Sequence, residues 1–134
     1  MGNRVLFQVV QSRRNTEGPV LFGPVVYGHW SGGEAPKIVR RLAARMVTRP
    51  GDVDYATARL VQEVVADVPN SPLGVGVWNA KGVLTEDDSH GDAGVVLIDC
   101  SDGFRCECLG GYLRTGPDGF PVSFDTVDTG ELPL

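Results

Sequence analysis

Two helical patterns lie back to back in the middle of this chain, and they constrain its architecture more than anything else in it. From Pro36 to Thr48, Ile38, Leu42 and Met46 recur every four residues with Val39 and Ala43 beside them, the spacing of one apolar helix stripe. Pro36 fits the first turn and Arg49-Pro50-Gly51 ends the pattern. A second helix follows over residues 53–67. Asp52 or Asp54 caps it, Leu60, Val61, Val64, Val65 and Val68 form its apolar face, and Pro69-Asn70-Ser71-Pro72 stops it. A one-striped helix must bury that stripe against another layer.

The flanking sequence supplies the layer. Val5 to Gln11 and Val20 to Tyr27 read as strands joined by the polar loop Ser12-Arg13-Arg14-Asn15-Thr16-Glu17-Gly18. Leu73 to Trp78, Val95 to Cys100 and Phe104 to Tyr112 read as three more. The order ββααβββ predicts an α+β domain over residues 1–114: a mostly antiparallel sheet of about five strands with both helices on one face. The tail 115–134, rich in Gly, Pro and Asp, reads as irregular, with Phe120 and Phe124 able to pack on the body. At 134 residues the chain is one domain with its own core. No apolar run reaches a membrane span, and the start lacks the apolar region of a signal peptide, so the expected location is cytoplasmic, the interior of a host cell.

The net charge of −5 hides an asymmetry. Residues 1–50 carry eight basic residues against Glu17 and Glu34, and residues 51–134 four against fifteen acids, a split of +6 and −11. Lys37, Arg40, Arg41, Arg45 and Arg49, with Arg13 and Arg14 in the loop, make one basic face. An acidic chain with no helix-turn-helix or zinc motif does not suit duplex DNA; a small anionic ligand or an acidic protein partner suits a local patch better. Cys100, Cys106 and Cys108 are odd in number, and Cys106 and Cys108 lie two apart on one strand face, where free core thiols are expected. No CxxC pair supports zinc.

The chemistry concentrates at Tyr27-Gly28-His29-Trp30-Ser31-Gly32-Gly33-Glu34-Ala35-Pro36, where a strand meets a helix. Gly32 and Gly33 can turn backbone N–H groups toward one point, or simply permit positive φ in a tight turn. The helix N-terminus adds partial positive charge. Trp30 offers a stacking surface or anchors the core, and His29 offers a titratable ring or a local hydrogen bond. Arg59, one turn into the second helix after Asp54 and Tyr55, needs a carboxylate or a ligand phosphate; Asp99 or Glu107 would be its structural partner. Arg4 opens the first strand and either flanks a site or faces solvent. Glu86-Asp87-Asp88-Ser89-His90-Gly91-Asp92 has oxygen ligands without the spacing of a calcium loop, and reads as a solvated hairpin turn with no metal.

Met1-Gly2-Asn3-Arg4, His29-Trp30-Ser31-Gly32-Gly33 and Asp54-Tyr55-Ala56-Thr57-Ala58-Arg59-Leu60 together resemble a group of small uncharacterised bacterial and phage proteins. Those proteins share an MGNR start, an HWNGG block before the first helix and a DYxxARL segment in the second. Glu86-Asp87-Asp88, Gly94 and Val95-Val96-Leu97-Ile98-Asp99 are similar to the group's acidic loop and following strand. The likeness spans roughly residues 1–113. Ser31 stands where Asn is usual, and nothing after Thr115 corresponds. It implies a phage or mobile-element setting and no activity.

The expected function is therefore that of a binding protein that sequesters a nucleotide-like anionic ligand to counter host defence. Its ligand-binding residues are His29, Trp30, Ser31, Gly32, Gly33, Tyr55, Arg59 and Arg4, and no cofactor or catalytic residue is expected. The alternatives are a protein-interaction inhibitor of a host defence enzyme and a small hydrolase of a phosphorylated metabolite, for which His29 with a carboxylate, or Cys100 with His29 or His90, would be the only machinery. A homo-oligomer is compatible with all three.

Overall fold

The computed structural model describes residues 3–12, 21–67 and 74–122. Its elements are β1 (Val5–Gln11), β2 (Leu21–Gly28), α1 (Ala35–Arg45), α2 (Val53–Asp67), β3 (Val75–Trp78), β4 (Gly94–Asp99), β5 (Arg105–Leu109), β6 (Arg114–Thr115) and β7 (Pro121–Val122). The fold is α+β: a five-stranded sheet with both helices on one face. The sheet is mixed rather than purely antiparallel. Its order is β3-β2-β1-β4-β5, and the central pair β1/β4 is parallel while the other three pairs are antiparallel.

Alternation along the strands separates two apolar layers. Val5, Phe7 and Val9 of β1, Val26 of β2, Val96 and Ile98 of β4 and Cys106 of β5 face the helices, where they meet Ile38, Val39, Leu42, Ala56, Leu60 and Val64. Leu6, Val10, Val25, Val95 and Leu97 face the other way and are covered by Leu84, with Tyr27, Ala80 and Leu109 at the margin. Two-sided burial explains why these strands read as continuous apolar runs. β3 and β4 follow each other in sequence but sit on opposite sides of β2 and β1, so residues 79–93 are a crossover over the second face, not the hairpin expected there.

Gln8 holds that crossover down. Its side chain is fully buried; Nε2 donates to Gly23 O and Gly82 O (both 3.0 Å), and Oε1 accepts from Leu84 N–H at 2.8 Å.

Several boundaries differ from expectation. α1 ends at Arg45, because Met46 N–H is shared between Leu42 O and Ala43 O and the chain turns ahead of Pro50; Met46 nonetheless stays in the core. Val65 is 40% exposed, since the α2 face centred on Ala56, Leu60 and Val64 turns it outward, and Val61 is half-buried. Residues 13–18, Val68 and Pro69 to Pro72 lie outside the described residues. The segment after Thr115 is ordered as far as Val122. β7 pairs with β6 around a turn in which Gly116 N–H donates to Phe120 O (2.7 Å), and Phe120 stacks on Phe104 with centroids 5.8 Å apart. Arg40 of α1 lies 4.5 Å over the Phe120 ring and pairs with Asp118 at 2.6 Å. Phe124 lies outside the described residues.

The three thiols are free, Cys100 and Cys106 buried and Cys108 half-buried. Burial pushes the Cys100 thiol up to about 11 and raises the other two, so all three are protonated near neutral pH. Among the described residues no helix is long and apolar enough to cross a membrane.

Candidate functional site

The strand-to-helix junction exists, but its amides at Gly32, Glu34 and Ala35 are already engaged. Gly32 N–H donates to Asn3 O at 2.7 Å, Glu34 N–H to Ser31 O at 3.0 Å, and Ala35 N–H to Gly32 O. Neither glycine adopts positive φ. Gly32 is glycine for want of space: a Cβ there would lie 2.6 Å from Ala93 Cβ and 2.7 Å from Asn3 O. Gly33 is exposed with open space around it. Ser31 is buried, its hydroxyl without a partner. Glu34 occupies the N-cap of α1 and pairs with Lys37 at 3.2 Å, which adds a negative charge beside the helix N-terminus. With Gly32 N–H engaged, the expected Gly32-Gly33 nest of N–H groups is not formed; Ser31 and Gly32 act in packing, and Gly33 lies exposed.

What the junction does contribute is part of a larger ring cluster. Both tryptophans and both histidines of the chain lie together around Tyr27. His29 Nδ1 is hydrogen-bonded to Tyr27 Oη at 2.7 Å, and its ring meets Trp30 edge-on with centroids 4.3 Å apart. The Tyr27 centroid lies 5.8 Å from Trp78 and 5.7 Å from His90, and Trp78 and His90 are nearly parallel, 14° apart at 6.2 Å. Two glycines make the floor: a Cβ on Gly74 would stand 2.9 Å from Trp30 Cδ1, and one on Gly76 would touch the Trp78 ring at 3.7 Å. Trp30 is 54% and Trp78 42% exposed, so the rings form a surface and not a core. Trp78 and His90 carry no local motif; register between β2 and β3 and the path of the crossover bring them to Tyr27 and His29. Aromatic or imidazole side chains on strand-like segments were the only signal that could have flagged them.

Arg4 stands at the rim. Its Nε donates to Asp92 Oδ2 at 2.9 Å and its backbone N–H to the same oxygen at 3.1 Å. Hydrogen bonds from Arg4 hold the Asp92 carboxyl below its ordinary range, and the same contact raises Arg4. Asp92 takes a left-handed φ of 55°, which Asp tolerates better than most residues. The next residues along, past Trp78, line an open groove of about 570 Å³ with Val25, Asn79, Lys81, Leu84 and Asp88 among its walls.

Arg59 and Tyr55 do not belong to this cluster. The Arg59 guanidinium lies 4.9 Å over the Tyr55 ring and that of Arg49 lies 4.5 Å over it. Neither Asp99, bonded to Ser12 and Ser101, nor the exposed Glu107 reaches Arg59, whose Nε–H is buried without an acceptor. Gly51 N–H bonds Cys100 O at the end of β1, whereas Gly32 N–H bonds Asn3 O at its start. Seven strand residues separate those ends by about 20 Å, so Tyr55 with Arg49 sits at the far end of the sheet from Trp30.

The acidic turn Glu86–Asp88 is a capped 3-10 turn: Thr85 N–H donates to Asp88 Oδ2 at 2.8 Å, and Asp87 N–H to Thr85 Oγ1. Among the described residues no three His, Cys, Asp or Glu side chains converge to hold a metal ion. Cys100 follows the far end of β4, away from both histidines, and its protonated thiol is no nucleophile. No protein-family model, curated protein or solved structure matches the chain.

Proposed function

We propose that the protein is a binding protein that captures a planar, anionic, nucleotide-like ligand on the ring cluster. The observation that carries this reading is the convergence of His29 and Trp30, Trp78, and His90, from three separate stretches of chain, on one exposed face. Large rings left half in water, over a floor of two glycines, suit stacking on another flat group. Arg4 at the rim and Lys81 in the adjoining groove supply positive charge for phosphate, in place of a backbone nest. Tyr27, bonded to His29, fixes the orientation of the imidazole. The resemblance of Met1–Arg4, His29–Gly33 and Asp54–Leu60 to small bacterial and phage proteins supports a phage or mobile-element setting, and in the interior of a host cell capture of such a ligand would serve to counter a host defence.

The test is calorimetric titration with mono-, cyclic and ADP-ribose-type nucleotides, with tryptophan fluorescence and melting temperature read alongside. Trp30→Ala and Trp78→Ala should each weaken binding by about 1–3 kcal/mol, roughly 5- to 150-fold, without a matching loss of stability. Arg59→Ala should leave affinity unchanged. Absence of heat and of thermal shift with every nucleotide, in folded protein, refutes the proposal.

A further inference from the structure

The two edges of the sheet are built differently. At the β5 edge, Cys106 N–H donates to Gly119 O at 2.7 Å and Cys108 N–H to Thr115 Oγ1 at 3.0 Å, so the β6–β7 hairpin closes it. The β3 edge has no such cover among the described residues. Its ladder follows from one bond: His29 N–H donates to Gly74 O at 2.7 Å, which makes 29/74 a hydrogen-bonded pair. Antiparallel pairs alternate, and the register is Gly28 with Val75, Tyr27 with Gly76, Val26 with Val77, and Val25 with Trp78. Gly76 and Trp78 therefore bond inward to β2, and the N–H and C=O groups of Val75 and Val77 point outward. None of those four groups bonds a described residue outside the strand.

Natural edge strands are blunted by being short or by a lysine, a proline or a bulge. β3, Val75-Gly76-Val77-Trp78, is short at 4 residues and has none of the other three. Its side chains at the edge are unusually bare for their size, Val77 at 51% and Trp78 at 42% exposure. The core of the strand is also a palindrome, Val-Gly-Val, so antiparallel pairing with itself sets each valine opposite a valine in a single register centred on Gly76. An uncharged strand gives a charged peptide no preference of either sign, whereas a second copy matches it group for group.

We infer that β3 is the seam of a homodimer, two β3 strands pairing antiparallel about a twofold axis at Gly76. Val75 of each copy exchanges both backbone hydrogen bonds with Val77 of the other, four bonds in all. The axis is normal to the sheet, so the product is one ten-stranded sheet with all helices on one side and both ring clusters on the other. The pairing covers Val77 and carries each Trp78 toward the opposite copy's Gly74, the glycine on which that copy's Trp30 rests. The isologous contact is small beside a standard interface, which makes it a concentration-dependent association. It requires no ligand.

Sedimentation of the full chain without nucleotide, from about 1 µM to about 1 mM, tests it. The mass should rise from one chain toward two. Val77→Pro removes only an outward N–H, as edge prolines do, and Val77→Lys places a charge at the seam. Both variants should keep the parent's melting temperature at low concentration and remain single chains throughout, at least a tenfold loss of association. Amide exchange at Val75 and Val77 should slow with concentration in the parent. A parent that stays a single chain at every concentration overturns the inference, and so does a dimer that both variants still form.

Discussion

Replacing Gln8 by Met keeps the length of the side chain and removes its three hydrogen bonds. The bonds to Gly23 O and from Leu84 N–H are buried, and that to Gly82 O is partly exposed. A buried backbone group left unpaired costs about 1–3 kcal/mol, while the third can turn to water and costs little. Methionine recovers part of the loss by apolar contact with the Leu6 and Val10 layer, which leaves a net destabilisation of about 3 kcal/mol. For a domain of this size that lowers the melting temperature by about 6–12 °C. The loss should be local as well as global. Hydrogen exchange at the Leu84 amide should accelerate before that of β1 or β4, because the crossover detaches from the sheet first. Thermal melting and amide exchange of Gln8→Met against the parent are the assays. A variant within about 0.5 kcal/mol of the parent, with Leu84 still protected, would refute the role given to Gln8.

Two further outcomes follow from buried polar groups. Ser31→Ala removes a buried hydroxyl that has no partner, and should raise stability by about 1 kcal/mol in a denaturant titration, where a loss would show that the hydroxyl is satisfied. Asp99 is pushed up by burial and pulled down more strongly by hydrogen bonds from Ser12 and Ser101, so its folded value lies below the ordinary 3.8. Its contribution is therefore complete above about pH 3.8 and is lost as the pH falls through the folded value; melting of Asp99→Asn should vary less with pH than the parent below pH 4.

Both helices and the five strands of the main sheet were legible because their apolar residues repeat at periods of 3.6 and 2, and the stripe Ile38, Leu42, Leu60, Val64 fell in the core as the spacing required. Strand neighbours were not legible. Nothing local in Val95–Asp99 says that it lies parallel to Val5–Val10, since that pairing is decided by the crossover and by Gln8, whose amide looks in sequence like any surface residue. At the site, the junction drew attention to His29 and Trp30 because unusual residues stand side by side there. Trp78 was read only as the end of a strand, and His90 as part of the acidic turn or a partner for Cys100, because both reach the same spot only through tertiary structure. Gly32 misled for a physical reason: glycine marks a close approach of two segments, here with Ala93 and Asn3, as readily as it marks an exposed N–H cradle. Arg59 was read as a ligand group from its need for a partner, and an aromatic face meets much of that need.

The parallel contact of β1 with β4 has a consequence for how the chain is made. A ribosome releases β1 first, yet its neighbour in the middle of the sheet comes 89 residues' synthesis later (Val5 against Gly94), and the Arg4–Asp92 clasp spans 88 positions. Until then β1 and β2 form a hairpin with one bare flank, and the two helices have only part of a surface to settle on. Closure of such long loops is slow relative to local pairing. The emerging chain thus passes through a stage at which its apolar strands are open to other chains, and shielding by a chaperone would matter most between completion of α2 and release of β4.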